Sequence, residues 1–226
     1  MSNLESKKPG GRRARLIPGE PSPWKPLKER KSDREAKSLS VVEAATRLFL
    51  ERGVHRATMS EIAQHLNITK PALYNYFHSK DSILSACIQL ADRQTSQALA
   101  NAEALDARGF DKVRAFITEY VSVSTTAYGA CLNRIDDRDL EDAVREQLRS
   151  VNRIIDHRVR ALIAAGVADG SIVECDVRLT TFAIMGAIQW ISRWYRHDGP
   201  LSPEEIAAEY SKRLMASLTP PKETVR

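Results

Sequence analysis

Apolar residues recur every third or fourth position from about Arg34 almost to the C-terminus, and no stretch alternates apolar with polar at period two. That spacing puts one apolar stripe on each of a series of helices and leaves no half-buried strand. The first stripe is Leu39, Val42, Ala45, Leu48 and Phe49, with Gly53 beyond it as a left-handed C-cap. Thr58-Met59-Ser60-Glu61 has the spacing of a capping box, and Ile62, Ala63 and Leu66 form the inner face of a short second helix. Asn67-Ile68 makes a tight turn, Asn being one of the few residues that tolerate positive φ. Thr69 caps a third helix over residues 69–77, with Pro71 in its first turn and Leu73 and Phe77 directed inward.

Ser79 caps a long helix over 80–104, ~37 Å at 1.5 Å per residue, which is enough to leave one domain and enter another. Further helices are expected over 111–125, 139–167, 176–196 and 202–218, the third of these capped by Asp176 and the last opened by Ser202-Pro203-Glu204-Glu205. The expected fold class is all-α, with two short helices, 58–66 and 69–77, forming a helix-turn-helix. Residues 1–33 hold five of the ten prolines and almost no periodic apolar residue, which reads as a disordered basic arm. The expected domains are therefore that arm, a three-helix unit over 34–79, a helical domain over 80–218 and a tail over 219–226.

Charge is segregated along the chain. Lys and Arg number 34 against 29 Asp and Glu, a net +5, but residues 1–80 carry +8 and residues 81–226 carry −3. A basic front on a mildly acidic body suits a polyanion-binding module joined to a neutral partner domain. In a helix-turn-helix the second helix lies in the major groove while the first crosses the backbone. The outer face of the second helix here is Thr69, Lys70, Ala72, Tyr74, Asn75, Tyr76 and His78, followed by Lys80. The lysines and the Thr and Tyr hydroxyls suit phosphate, Asn75 suits an adenine edge, and Ala72 or Thr69 suits a thymine methyl. Because Tyr74, Asn75 and His78 fall opposite Leu73 and Phe77, they cannot all be core.

Glu43-Ala44-Ala45-Thr46-Arg47-Leu48-Phe49, Gly53, Thr58-Met59-Ser60-Glu61-Ile62-Ala63 and Thr69-Lys70-Pro71-Ala72-Leu73-Tyr74-Asn75-Tyr76-Phe77-His78-Ser79-Lys80 resemble the DNA-binding domain of the TetR family of bacterial transcriptional regulators. The match spans about residues 39–84. It implies DNA contact by Thr58, Thr69, Lys70, Tyr74, Asn75, Tyr76 and Lys80. Asn67 stands where the family usually has glycine. The resemblance further implies a C-terminal ligand-binding and dimerisation domain, a homodimer through the helices near 176–196 and 203–218, and a palindromic operator in double-stranded DNA. The function implied is a repressor released by a small apolar effector. A DNA-binding architectural protein without an effector, or a binding module with a vestigial helix-turn-helix, are the alternatives.

The segment from Gln189 to Ile206 is similar to the corresponding part of TetR members that respond to acyl-CoA thioesters. Trp190 and Trp194 would then line an apolar slot, with Arg193 and Arg196 on phosphates or a carboxylate. The same residues also suit an interface, the tryptophans as core and the arginines as rim. Phe116, Tyr120, Tyr128, Met185 and Trp190 are pocket candidates because large side chains fall on inward faces there, and Arg193 completes the effector set.

Other classes of function are excluded or disfavoured. Cys87, Cys131 and Cys175 are odd in number and form no CxxC, which fits a reducing cytoplasm rather than a disulfide framework. No apolar run is long enough for a membrane span, and the basic N-terminus lacks the apolar core of a secretory signal. The acidic run Asp136 to Asp142 has no His within a helical turn and reads as carboxylates gathered at a helix N-terminus rather than a metal site. No nucleophile elbow, zinc-protease, P-loop or dinucleotide motif is present, so neither catalytic residues nor a cofactor are expected.

Overall fold

The computed structural model describes residues 27–136 and 140–221, with the backbone alone for residues 27–31. Two compact units divide the chain, Met1–Ala36 and Lys37–Arg226. Of the first, the described part is helical.

Nine helices and no strand are formed among the described residues. The first, α1 (Leu27–Arg52), starts before residue 34, so residues 27–33 are helix rather than part of a disordered arm. Its opening run, LKERKSDREAKS, is rich in good helix formers but carries no apolar stripe, and periodicity alone is blind to such a helix. The rest of the expected arm, residues 1–26, lies outside the described residues. Val42, Ala45, Leu48 and Phe49 are buried as the spacing predicts, whereas Leu39 is exposed.

α2 (Met59–His65) and α3 (Lys70–Tyr74) are shorter than the pattern suggests. After Tyr74 the chain leaves the helix, with the amides of Tyr76 and Phe77 both donating to the Leu73 carbonyl. It must do so because Ser79 is already fully extended, at φ −151°, as the N-cap of α4 (Lys80–Ala104). α5 (Gly109–Thr125) follows, and then α6 (Ala127–Arg134), an eight-residue helix the sequence pattern does not reveal. A single residue, Thr126, ends α5 and caps α6: its hydroxyl donates to Val123 O at 2.7 Å and accepts from Gly129 N at 3.1 Å. α7 (Asp142–Ala168), α8 (Val177–Trp194) and α9 (Pro203–Ala216) complete the chain. Of the acidic run, residues 137–139 lie outside the described residues, and α7 begins three residues later than the pattern places it.

The apolar stripes meet in two clusters. One joins α1, α2 and α3 to the first turns of α4, to Cys131 of α6 and to Val144 and Leu148 of α7. The other joins the later part of α4 to α5, α7, α8 and α9. α4 therefore carries Ile83, Leu84 and Ile88 in the first core and Ala98, Leu99 and Ala102 in the second. A rigid element shared by two cores is a physical link between them.

A carboxylate braces the second core. Asp169 accepts from Gly109 N and Ser171 N, both at 2.8 Å, tying the start of α5 to the end of α7. The Gly109 amide, then Ser171, holds its pKa near 2. A depressed carboxylate contributes stability that is complete above its usual pKa and lost as pH falls through the folded one. Asp169→Asn should therefore melt below the parent chain at pH 7, and the gap should close between pH 3.8 and about 2. Thermal melts across that range check this, and a gap that does not change with pH would contradict it.

Candidate functional site

The helix-turn-helix is assembled by caps. Thr58 N and Oγ1 each donate to Glu61 Oε2 at 2.9 Å, while Glu61 N donates to Thr58 Oγ1 at 3.2 Å. Arg52 Nη1 reaches Glu61 Oε1 at 2.6 Å, so α2 is pinned to the end of α1. These bonds, those from Thr58 first, hold the Glu61 carboxyl below the usual range. Asn67 adopts φ 52°, the left-handed conformation expected of the turn, and Ile68 N donates to Ala63 O at 3.0 Å. Thr69 Oγ1 accepts from Ala72 N at 3.3 Å and starts α3.

Ile62 and Leu73, both wholly buried, lock the two helices together. That fixes what α3 shows to solvent. Thr69, Lys70, Tyr74, Asn75 and His78 are exposed, and Ala72 and Tyr76 are half-buried beside them. Lys80 is half-buried as well, its Nζ donating to the His55 carbonyl at 3.4 Å. Thr58 is exposed, but its hydroxyl already both donates and accepts within the capping box, so its first task is structural. The nine residues singled out from the sequence thus fall on one short segment, with Thr58 and Lys80 engaged at its two ends.

The effector candidates are dispersed. Phe116 is fully buried and stacks on Tyr120 with ring centroids 5.3 Å apart. Tyr120 and Met185 line a groove of about 490 Å³ between α5, α7 and α8. Tyr120 also lines a chamber of about 40 Å³ behind it. Tyr128 packs instead against the N-terminal core, where burial first, then the nearby Glu43 carboxylate, pushes its pKa well up. Trp190 and Arg193 are exposed on α8 and are not among the residues lining either cavity. The reason is rotational: they sit on the side of α8 away from Ile184, Ile188 and Ile191, which fill the core. Trp194, also considered for the slot, stacks on Tyr210 of α9.

Sequence reasoning missed the polar wall. Arg149, Asn152, Arg153, Asp156 and Arg160 line the groove from α7. Their steps of three and four were a legible signal, a polar stripe along one side of a long helix, but one normally taken for a solvated face. α6 was missed with it. This helix gives Gly129, Leu132 and Asn133 to the chamber and Cys131 to the N-terminal core, against which Ile135 at its end also packs.

α8 carries a further feature. Leu179 (63% exposed), Phe182 (49%), Trp190 (63%) and Trp194 (40%) recur at helical spacing on its outer side. Gly186 lies among them with open space around the position of an added Cβ. A contiguous apolar strip of this kind on a surface helix marks a binding face. Among the described residues no helix is long and apolar enough to cross a membrane, and no group of three or more metal-ligating side chains occurs.

Comparison with known proteins agrees with this geometry. Residues 41–87 match the family described as bacterial regulatory proteins, tetR family, and residues 106–218 match the tetracyclin repressor-like C-terminal domain. The HTH-type transcriptional repressor KstR2 of Rhodococcus jostii (strain RHA1) is 26% identical over 196 residues, covering 84% of this chain and 95% of its own. The TetR family transcriptional regulator PfmR from Thermus thermophilus has 27% identity and a TM-score of 0.71, over 80% of this chain and 99% of its own. AibR, solved in complex with isovaleryl coenzyme A and operator DNA, shares the fold at a TM-score of 0.71 and 21% identity, over 81% of this chain and 98% of its own. With both its helix-turn-helix and its C-terminal helices matched, this chain belongs to the TetR family of bacterial transcriptional regulators.

Proposed function

We propose that the chain is a homodimeric cytoplasmic repressor that binds a palindromic operator and is released by an acyl-CoA thioester. The observation that carries this reading is the exposed stripe Thr69, Lys70, Tyr74, Asn75 and His78, held outward by the buried Leu73. Its ammonium, hydroxyl, amide and imidazole groups suit phosphates and base edges in a major groove. Residues 34–79 then read DNA, with Ala72, Tyr76 and Lys80 in supporting contact, and residues 80–218 bind the effector and the second subunit. The apolar strip of α8, continued by α9, is the dimer face. A twofold axis there matches the symmetry of a palindrome.

The groove between α5, α7 and α8 is the effector site, Tyr120 and Met185 being its members among the residues singled out from sequence. A coenzyme A thioester is supported by the three arginines at the groove and by AibR, which shares this fold and was solved with isovaleryl coenzyme A. Release is transmitted by α4, which carries residues of both cores, and by α6, which joins the N-terminal core and lines the chamber. A ligand shifts such an equilibrium only through unequal affinity for the two conformations, and inverting a 1:99 population takes ~5.5 kcal/mol.

A gel shift of the full chain on the DNA flanking its own gene tests this. A retarded complex that dissolves on adding short-chain acyl-CoA is the expected result. Retention at every acyl-CoA concentration would favour an architectural protein, and no complex even at low salt would end the reading. A second expected outcome concerns Lys70→Ala. Loss of one phosphate contact in each subunit should flatten the slope of log affinity against log salt by about 2.

A further inference from the structure

The effector site of the proposed function has two compartments of unlike chemistry, and the contrast constrains the ligand's buried end. The outer groove is lined by Arg149, Arg153 and Arg160, of which Arg160 pairs with Asp156 in the same wall and Arg153 with Glu146, both at 2.7 Å. The Arg160 guanidinium lies 5.4 Å from the Phe182 ring centroid, and its Nε is buried with no hydrogen-bond partner. That is a place for a phosphate-bearing group.

The inner chamber shares Tyr120, Asn152, Ile155 and Gln189 with the groove. At about 40 Å³ it has room for about three water-sized groups. Ser124 is 1% exposed, lines this chamber, and has no hydrogen-bond partner for its Oγ. The neighbouring Thr95 hydroxyl is committed to Ala91 O at 2.9 Å, and Asp92 in the same wall opposes a second negative charge. Burial pushes the Tyr120 pKa up against the opposing pull of the Gln189 and Ser124 side chains, so the Tyr120 hydroxyl lies beside Ser124 Oγ without forming a hydrogen bond of good geometry. A purely hydrocarbon end would leave Ser124 Oγ with no well-aligned partner, only the Tyr120 hydroxyl beside it, and a long one would not fit. A short end bearing a neutral oxygen satisfies both constraints.

We propose that the effector's acyl group is only about three to four carbons long and carries a hydroxyl or carbonyl oxygen that hydrogen-bonds Ser124 Oγ, with its phosphate-bearing portion on Arg149, Arg153 and Arg160. This rests on the reading of the groove as an acyl-CoA site.

Calorimetric titration of the full chain with 3-hydroxybutyryl-CoA, butyryl-CoA, octanoyl-CoA and coenzyme A alone tests it. The hydroxybutyryl thioester should bind about tenfold tighter than butyryl, and octanoyl should be the weakest of the three thioesters. Ser124→Ala should bring hydroxybutyryl down to the butyryl level and leave butyryl unchanged. Its melting temperature should stay the same or rise, since the change removes an unpartnered buried oxygen. Equal or tighter binding of butyryl or octanoyl, or an equal loss for all ligands in Ser124→Ala, overturns the inference while leaving the acyl-CoA reading intact. Failure of coenzyme A and every thioester to bind overturns both.

Discussion

Replacing Leu179 and Trp190 by glutamate should split the proposed homodimer and weaken operator binding by about a thousandfold or more, towards the non-specific level. Both side chains stand on the outer side of α8, each 63% exposed, and neither is among the residues lining the groove or chamber. Within one subunit they hold little together, so helical content should be unchanged. In a dimer they would be covered, and each large apolar side chain fully buried there contributes about 1.5–3 kcal/mol. Carboxylates in the same place lose that contribution and face desolvation of an unpaired charge on both copies, since a twofold interface repeats every substitution. Sedimentation and operator titration on the same preparation check the result. A double variant that stays dimeric would move the interface away from α8.

Gly109→Ala should destabilise the fold by about 3 kcal/mol, a fall of about 6–12 °C in Tm for a chain of this size. A methyl group at Gly109 would run into the backbone of Gly166, where α5 begins against the last turns of α7. Backbone in a packed helix has no rotamer with which to yield. The same substitution at Gly166 meets the buried Ile172 side chain rather than a backbone, and should cost less. Equal melting temperatures for the two variants would contradict this account of the junction.

The caps made much of this fold legible. Thr58, Thr69, Ser79, Asp176 and Ser202 each cap the helix their spacing predicts, and Asn67 takes the positive φ expected of the turn. Capping is local chemistry, written in three or four consecutive residues. The elements that went unseen lack such a signature. The start of α1 is charged throughout, so no apolar period announces it. α6 hides behind Thr126, which serves two helices at once, and behind Gly129, whose place in a helix is set by its closeness to the Val123 carbonyl.

The same distinction separates the two candidate sites. The DNA face is one segment of chain, so residue order alone brings its members together. The effector cavity draws on α4, α5, α6, α7 and α8, and only packing decides which side of each helix faces it. Of the large side chains singled out from sequence, Tyr120 and Met185 line the groove. Phe116 fills core and Trp190 faces out, while the arginine stripe of α7 and the small Ser124 line the walls.

Repression by this chain requires the stripe beginning at Thr69 to meet duplex DNA. Fluorescence anisotropy with the labelled upstream region of the chain's own gene, comparing the parent with Tyr74→Ala and Asn75→Ala, is the direct measurement. Each variant should fold as the parent does, with Leu73 still buried, and Asn75→Ala should lose about 1–3 kcal/mol of affinity per half-site for the operator but not for unrelated DNA. Parental affinity and specificity in both variants would contradict the account.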